Sequence, residues 1–295
     1  DLTMLMKIWA VMAPVLACAG VGYFWGRTGR PFDTRMVSAL VTSVATPCLI
    51  VATLGQSDLD LAALARITGL FAAVMALTGL GAWLLIRASG RPVRVFLPAL
   101  TFPNTGNMGL PLCLLAFGEH GLALALAWMM LTSVIQFSLG LAVVSGEGLS
   151  WRLLRHPILI SVVVAVVMVV FQIRLPAWLQ NSVALIGDLT IPMMLITLGV
   201  SLSQLRVRDA GGGLVFAAAR LLLGFGAAWL VCELAGVEGV LRGVILIQST
   251  MPVAVFNYLL AQTYRQGPET VAAMVVFSTL LSFLTLPLLL MVALP

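Results

Sequence analysis

Thr101-Phe102-Pro103-Asn104-Thr105-Gly106-Asn107-Met108-Gly109-Leu110-Pro111 interrupts an otherwise apolar segment. Two prolines remove backbone donors and two glycines loosen the chain, so a helix entering from Val95 is expected to stop near Pro103 and resume near Met108. Four polar side chains, Thr101, Asn104, Thr105 and Asn107, fill the gap. In hydrocarbon, irregular backbone survives only where it is buried in protein or lines a wet cavity, which makes this break a candidate binding site. The plainer alternative is a kink held by neighbouring helices, but a kink needs one proline and no asparagines.

The chain around the break has membrane composition. Of its 295 residues 61% are hydrophobic and 9% charged, and the mean hydropathy is +1.10, which selects an all-α polytopic membrane protein over a soluble globule. The net charge of +5 comes from arginines scattered in short loops beside apolar runs, where topology signalling explains them and no nucleic-acid partner is implied. The first run, Ile8 to Phe24, ends on an interfacial aromatic cluster, Tyr23-Phe24-Trp25, and reads as a span, not a signal peptide. Cys18, Cys48, Cys113 and Cys232 lie in apolar segments without disulfide or metal-ligand spacing and read as buried free thiols, with no metal or cofactor implied.

Apolar runs bounded by charge or Gly/Pro clusters predict ten spans, near 8–25, 35–55, 62–86, 95–117, 121–145, 155–173, 178–203, 213–234, 240–264 and 269–294. Every connection between them is short, which puts function inside the membrane. Eleven of the sixteen lysines and arginines fall in the loops after spans 1, 3, 5, 7 and 9, four on the other face, and Arg220 within a span. The positive-inside rule then makes the first face cytoplasmic and both termini external, in a cell (inner) membrane.

A repeat is visible at an offset of about 145 to 149 residues. Phe71-Ala72-Ala73 and Gly79-x-Gly81 match Phe216-Ala217-Ala218 and Gly224-x-Gly226; Thr132-Ser133-x-x-Gln136-Phe137 matches Ser278-Thr279-x-x-Ser282-Phe283; Pro47 with Thr53-Leu54-Gly55 matches Pro192 with Thr197-Leu198-Gly199. The unit is five spans, 1–146 and then 151–295. An odd number of spans forces the second copy to enter the membrane inverted, the plan of secondary transporters.

The same offset carries the opening stretch onto span 9. Thr101-Phe102-Pro103 aligns with Thr250-Met251-Pro252, and Asn107, one position off register, with Asn257. Two broken helices, 4 and 9, are expected to cross near the bilayer midplane, with Pro103, Pro111 and Pro252 as crossover prolines. The halves starting near Met108 and Val253 would aim partial positive charge at the gap, while Asn104, Thr105, Asn107, Thr250 and Asn257 supply uncharged donors and acceptors. Such a site favours a small anion, foremost a carboxylate.

Phe102-Pro103-Asn104-Thr105-Gly106-Asn107-Met108-Gly109-Leu110-Pro111-Leu112, the run Met251 to Gln262 and the ending Ser278 to Pro287 resemble bacterial members of the auxin efflux carrier family, over essentially the whole chain. The resemblance implies two inverted five-helix repeats, similar to bile acid sodium symporters and sodium/proton antiporters. It also implies a scaffold of spans 1, 2, 6 and 7 through which a homodimer forms, and a transport domain of spans 3 to 5 and 8 to 10 moving as an elevator. In plant relatives asparagines at the crossover hold an indole carboxylate, and bacterial relatives are linked to malate, malonate and similar acids; the resemblance carries that role onto Asn104, Asn107 and Asn257. Departures are a minimal connection between the halves, Gly146 to His156, and no ionisable residue in span 3 between Arg66 and Arg87.

Asp188 in span 7 and Arg220 in span 8 are the two charges deep in spans. They read either as a mutual salt bridge or as an anion-attracting or gating arginine with a proton-linked aspartate. Glu119 and His120 read as a solvated loop pair. With no Asp or Glu in either break, a sodium/proton antiporter is disfavoured. Sodium coupling stays open, because Thr132, Ser133, Gln136, Ser278, Thr279 and Ser282 could act as neutral oxygen ligands, although hydrogen bonding between packed helices explains them equally. An intramembrane enzyme is disfavoured by two loop histidines and no H-E-x-x-H or G-x-S-x-G. The sequence reading is therefore a carrier for a small organic anion, with a sodium-coupled symporter of the same fold or a non-transporting receptor as alternatives.

Overall fold

The computed structural model describes residues 2–57, 59–146, 157–205 and 210–294; the expected connection between the halves, with Arg152, Arg155 and His156, and the loop with Arg206 and Arg208 lie outside the described residues. Among these residues the chain is helical throughout, apart from one isolated bridge. The helices are α1 (Leu2–Arg27), α2 (Thr34–Leu54), α3 (Leu61–Ser89), α4 (Val93–Thr101), α5 (Thr105–Ser145), α6 (Pro157–Val170), α7 (Ala177–Gln204), α8 (Ala210–Leu234), α9 (Gly239–Thr250), α10 (Val255–Thr263) and α11 (Pro268–Ala293).

Seven of these, α1, α2, α3, α5, α7, α8 and α11, are long and apolar enough to cross a membrane, and α6 and α9 are shorter apolar helices. The protein is thus a multi-pass membrane protein. Large apolar side chains on its outer surface, such as Phe24, Phe171, Trp178, Leu222 and Leu284, fit a chain whose solvent there is lipid.

Expected spans 4 and 5 meet in α5, whose 41 residues would measure roughly 60 Å as one rod, about twice a bilayer core. Gly118 divides it, with φ 65° and ψ −156° inside an otherwise helical run. That region of backbone space is accessible almost only to glycine. Short π turns at Thr105–Gly109 and Gln136–Gly140 adjust α5 at its start and near its end.

Helix starts follow ordinary capping chemistry. Asp33 accepts from the Arg35 and Met36 amides at the start of α2, and Asp60 from the Ala63 amide at the start of α3. Against α7, α1 packs at backbone distance: a methyl at Gly199 would lie 1.9 Å from Ala19 O, and one at Gly22 2.0 Å from Ile196 O. Small residues allow this approach where no hydrophobic effect drives helices together. A buried core including Phe71, Trp128, Leu126, Ile247 and Leu290 joins α3, α5, α9 and α11, with the Phe71 and Trp128 rings edge to face at 5.1 Å. A second core, with Ile86, Phe96, Leu100, Phe216 and Met274, joins α3, α4, α8 and α11.

Candidate functional site

Both expected breaks are present, and the helices entering them end at the aligned threonines, Thr101 in α4 and Thr250 in α9. The first break resumes at Thr105, earlier than the Met108 expected, and the second at Val255. Three residues therefore bridge one gap and four the other, which accounts for the one-residue register slip between Asn107 and Asn257. Pro111 sits beyond the break, in the resumed helix.

The two gaps pair with each other as a minimal antiparallel bridge, Pro103 with Val253. The Asn104 amide donates to Pro252 O at 2.8 Å and the Ala254 amide to Phe102 O at 3.4 Å. Proline cannot donate at either gap, so these bonds use the residues beside it. The Val253 amide donates to Ser278 Oγ at 2.9 Å. These bonds satisfy backbone donors of both breaks inside the protein, as a non-aqueous setting demands.

Asn257 braces the crossing. Its Nδ2 donates to Phe102 O at 3.1 Å and Pro98 O at 3.3 Å, and its Oδ1 accepts from Gln136 Nε2 at 3.0 Å. Asn104 differs: it is buried, and its Nδ2 has no hydrogen-bond partner. Asn107, in the first turn of α5, lines a cavity of about 360 Å³ together with Arg35, Thr42, Thr197, Ser201 and Phe256. Thr34 Oγ1 and Thr197 Oγ1, in the same wall, are also buried without partners.

Arg220 and Asp188 are not brought together. Arg220 is fully buried, and its Nη1 donates to Leu100 O at 2.8 Å and its Nη2 to Ser249 O at 2.6 Å. Asp188 is exposed and lines a different cavity, of about 530 Å³, with Gln56, Glu119, His120 and Gln180. That cavity lies between the C-terminal half of α2 and the N-terminal half of α7, whereas the Asn107 cavity uses the opposite halves of the same two helices. Buried Met194 falls on α7 between Pro192, which lines one cavity, and Thr197, which lines the other.

The hydroxyls read as possible ion ligands donate within their own helices, which leaves their oxygen lone pairs free: Thr132 to Trp128 O, Ser133 to Met129 O, Thr279 to Val275 O and Ser282 to Thr279 O. Thr250, read as a substrate ligand, likewise donates to Leu246 O. Ser278 and Gln136 serve the crossing as described. Among the described residues no group of three or more His, Cys, Asp or Glu is arranged to hold a metal.

The crossing therefore sorts its helix ends. The carbonyl ends of α4 and α9 meet the guanidinium of Arg220, while the amide ends of α5 and α10 present Asn107, Val255 and Phe256 to the cavity. Leading amides of a helix lack intrahelical partners and carry partial positive charge, so this wall suits an anion. Among the described residues Arg35 is the one charged residue in the lining. The sequence reading missed Arg35, Thr42 and Ser201, although Arg35, Ser38 and Thr42 on α2 and Thr197, Ser201 and Gln204 on α7 each follow a three-and-four spacing that puts them on one helical face.

Comparison with known proteins identifies the family. A family model described as membrane transport protein matches residues 8–150 and 141–290. The chain is 27% identical over 195 residues to an uncharacterized transporter of Methanocaldococcus jannaschii, covering 63% of each, and 25% identical over 268 residues to another of Methanothermobacter thermautotrophicus, covering 87% of this chain and 88% of that one. It is also 26% identical over 140 residues, 45% of this chain and 25% of the relative, to the probable auxin efflux carrier component 1b of Oryza sativa subsp. japonica.

Proposed function

This chain belongs to the membrane transport protein family that includes the auxin efflux carriers, and from that premise we propose that it carries a small organic anion, a mono- or dicarboxylate, held at the crossing of its two broken helices. The observation that carries the reading is the contrast between asparagines: Asn257 is consumed by the fold, whereas Asn107 lines the cavity at an amide-rich helix start and Asn104, buried behind that lining, keeps an unpartnered Nδ2. A ligand carboxylate would supply what those groups lack.

In this proposal the chain crosses the bilayer ten times as two inverted five-helix repeats, 1–146 and 151–295. Gly118 separates the fourth and fifth crossings, and α9 with α10 makes the ninth. The scaffold comprises α1, α2, α6 and α7 and mediates a homodimer, and the remaining helices move against it as an elevator. Support for such a movement is that α2 and α7 line both cavities, one toward each end. The Arg35 end faces the cytoplasm of the cell membrane; Arg30 over Trp25 at 5.0 Å and Arg87 over Trp83 at 5.4 Å suit an arginine-rich interface there.

A thermal-shift screen of mono- and dicarboxylates, with and without sodium, followed by uptake into liposomes, tests the proposal. Asn104→Ala and Asn107→Ala should each lose uptake while remaining folded. Wild-type uptake by both variants would refute the site.

A further inference from the structure

Arg220 lies deeper in the protein than any function of a solvated arginine requires, and nothing in the carrier reading uses it. Its two identified partners are main-chain carbonyls, Leu100 O near the end of α4 and Ser249 O near the end of α9. Carbonyls in the last turn of a helix lack intrahelical partners and carry partial negative charge. Two such ends converging in a dry interior form a cation site built from neutral groups. Gly224 lets α8 approach: a methyl there would lie 2.0 Å from Ser249 O and 3.0 Å from Arg220 Nη2. Among the described residues no carboxylate pairs with the guanidinium: two helix ends take its Nη groups, and its Nε is buried without a partner. At the position 145 residues earlier, aligned by Phe71 and Phe216, the first half has Met75. One arginine thus serves both breaks.

We propose that the Arg220 guanidinium is a tethered counter-cation, occupying the place at the crossing where a free monovalent ion would otherwise bind and positioning both broken helices from behind the substrate cavity. It rests on the carrier reading only in treating the crossing as the transport site. The fork holds two carbonyls at a fixed separation, which a hydrated point charge does less well. Arg220 is a positioning residue: its bonds reach the helix ends opposite those that line the cavity.

The test follows thermal unfolding of the detergent-purified protein against guanidinium, sodium and tetramethylammonium chloride at equal ionic strength. Wild type is expected to show no saturable shift with any of them. Arg220→Met, which keeps an apolar stem, should melt lower and regain about 2 to 4 °C, saturably, with millimolar guanidinium and not with tetramethylammonium. Arg220→Lys, with its charge still tethered, should melt between the two and ignore guanidinium. A merely structural arginine would give no cation-selective rescue.

Absence of a saturable guanidinium response in Arg220→Met, or saturable stabilisation of wild type by sodium, overturns the proposal. If Arg220→Met does not survive extraction, its recovery is compared after solubilisation in guanidinium and in tetramethylammonium: recovery in guanidinium alone supports the proposal, and equal loss in both overturns it. This readout involves no carboxylate. Normal uptake by Asn104→Ala and Asn107→Ala would therefore remove the substrate site and leave the cation result standing, and the converse holds equally.

Discussion

Asn107 and Asn257 hold corresponding places in the two breaks yet do different work. Asn257 uses both ends of its amide on protein partners, so Asn257→Ala leaves buried Gln136 Nε2 unpaired and removes the side-chain donor from Pro98 O and Phe102 O, which each keep a backbone amide. Leaving a buried donor unpaired costs about 1 to 3 kcal/mol, and the variant is expected to melt below wild type in a detergent thermal scan. Asn107 lines a cavity and has no such partner. Asn107→Ala should lie within about 0.5 kcal/mol of wild type while losing any stabilisation by carboxylates; a large drop in melting temperature would assign Asn107 to the fold instead. The sequence marks both residues as ligands because spacing reveals kinship and not orientation. Which amide faces the cavity is decided by the side from which the opposite strand of the crossing closes.

At the scale of elements, two glycines do work that no side chain could share. Gly118 kinks α5 at φ 65° and ψ −156°, with open space where a Cβ would go. Gly118→Ala should therefore cost about 1 to 3 kcal/mol of pure backbone strain, visible as a lower melting temperature. Gly199→Ala acts differently, since its methyl meets Ala19 O at 1.9 Å and must push α1 away from α7. Gly20→Ala, on the same α1 but with nothing within 4 Å, is the control and should melt like wild type. If Gly20→Ala and Gly199→Ala behaved alike, close packing of α1 on α7 would not be what those glycines provide.

At the scale of the molecule, the two cavities share α2 and α7 as walls and lie along opposite halves of them. The Asn107 cavity belongs to the Arg35 end, which the proposed orientation places on the cytoplasmic side. In a background lacking Cys18, Cys48, Cys113 and Cys232, Asn107→Cys should react with a membrane-impermeant thiol reagent in inverted membrane vesicles and stay protected in right-side-out ones. Equal labelling in both would contradict the proposed sidedness. Movement of the α5 and α10 starts past Met194 toward the Asp188 cavity would exchange the two accessibilities, which is the alternating access a carrier requires.

By itself the sequence determined that this is a helical membrane protein with two proline-broken helices, because hydrophobic run length and proline's missing donor are local properties of the chain. It also located both breaks to within a few residues and aligned Thr101 with Thr250, the residues at which α4 and α9 end. Partners for the buried polar groups were beyond its reach. Arg220 and Asp188 could be read as a pair because each was a charge inside an apolar run, yet the Arg220 Nη groups donate to carbonyls 120 and 29 residues away and its buried Nε has no partner. Likewise, the hydroxyls of Thr132, Ser133 and Thr279 turned back onto their own helices. Tertiary structure alone could decide this, because a hydrogen bond or a dipole contact depends on which surfaces meet, and in this chain the meeting of two irregular segments places every group that matters.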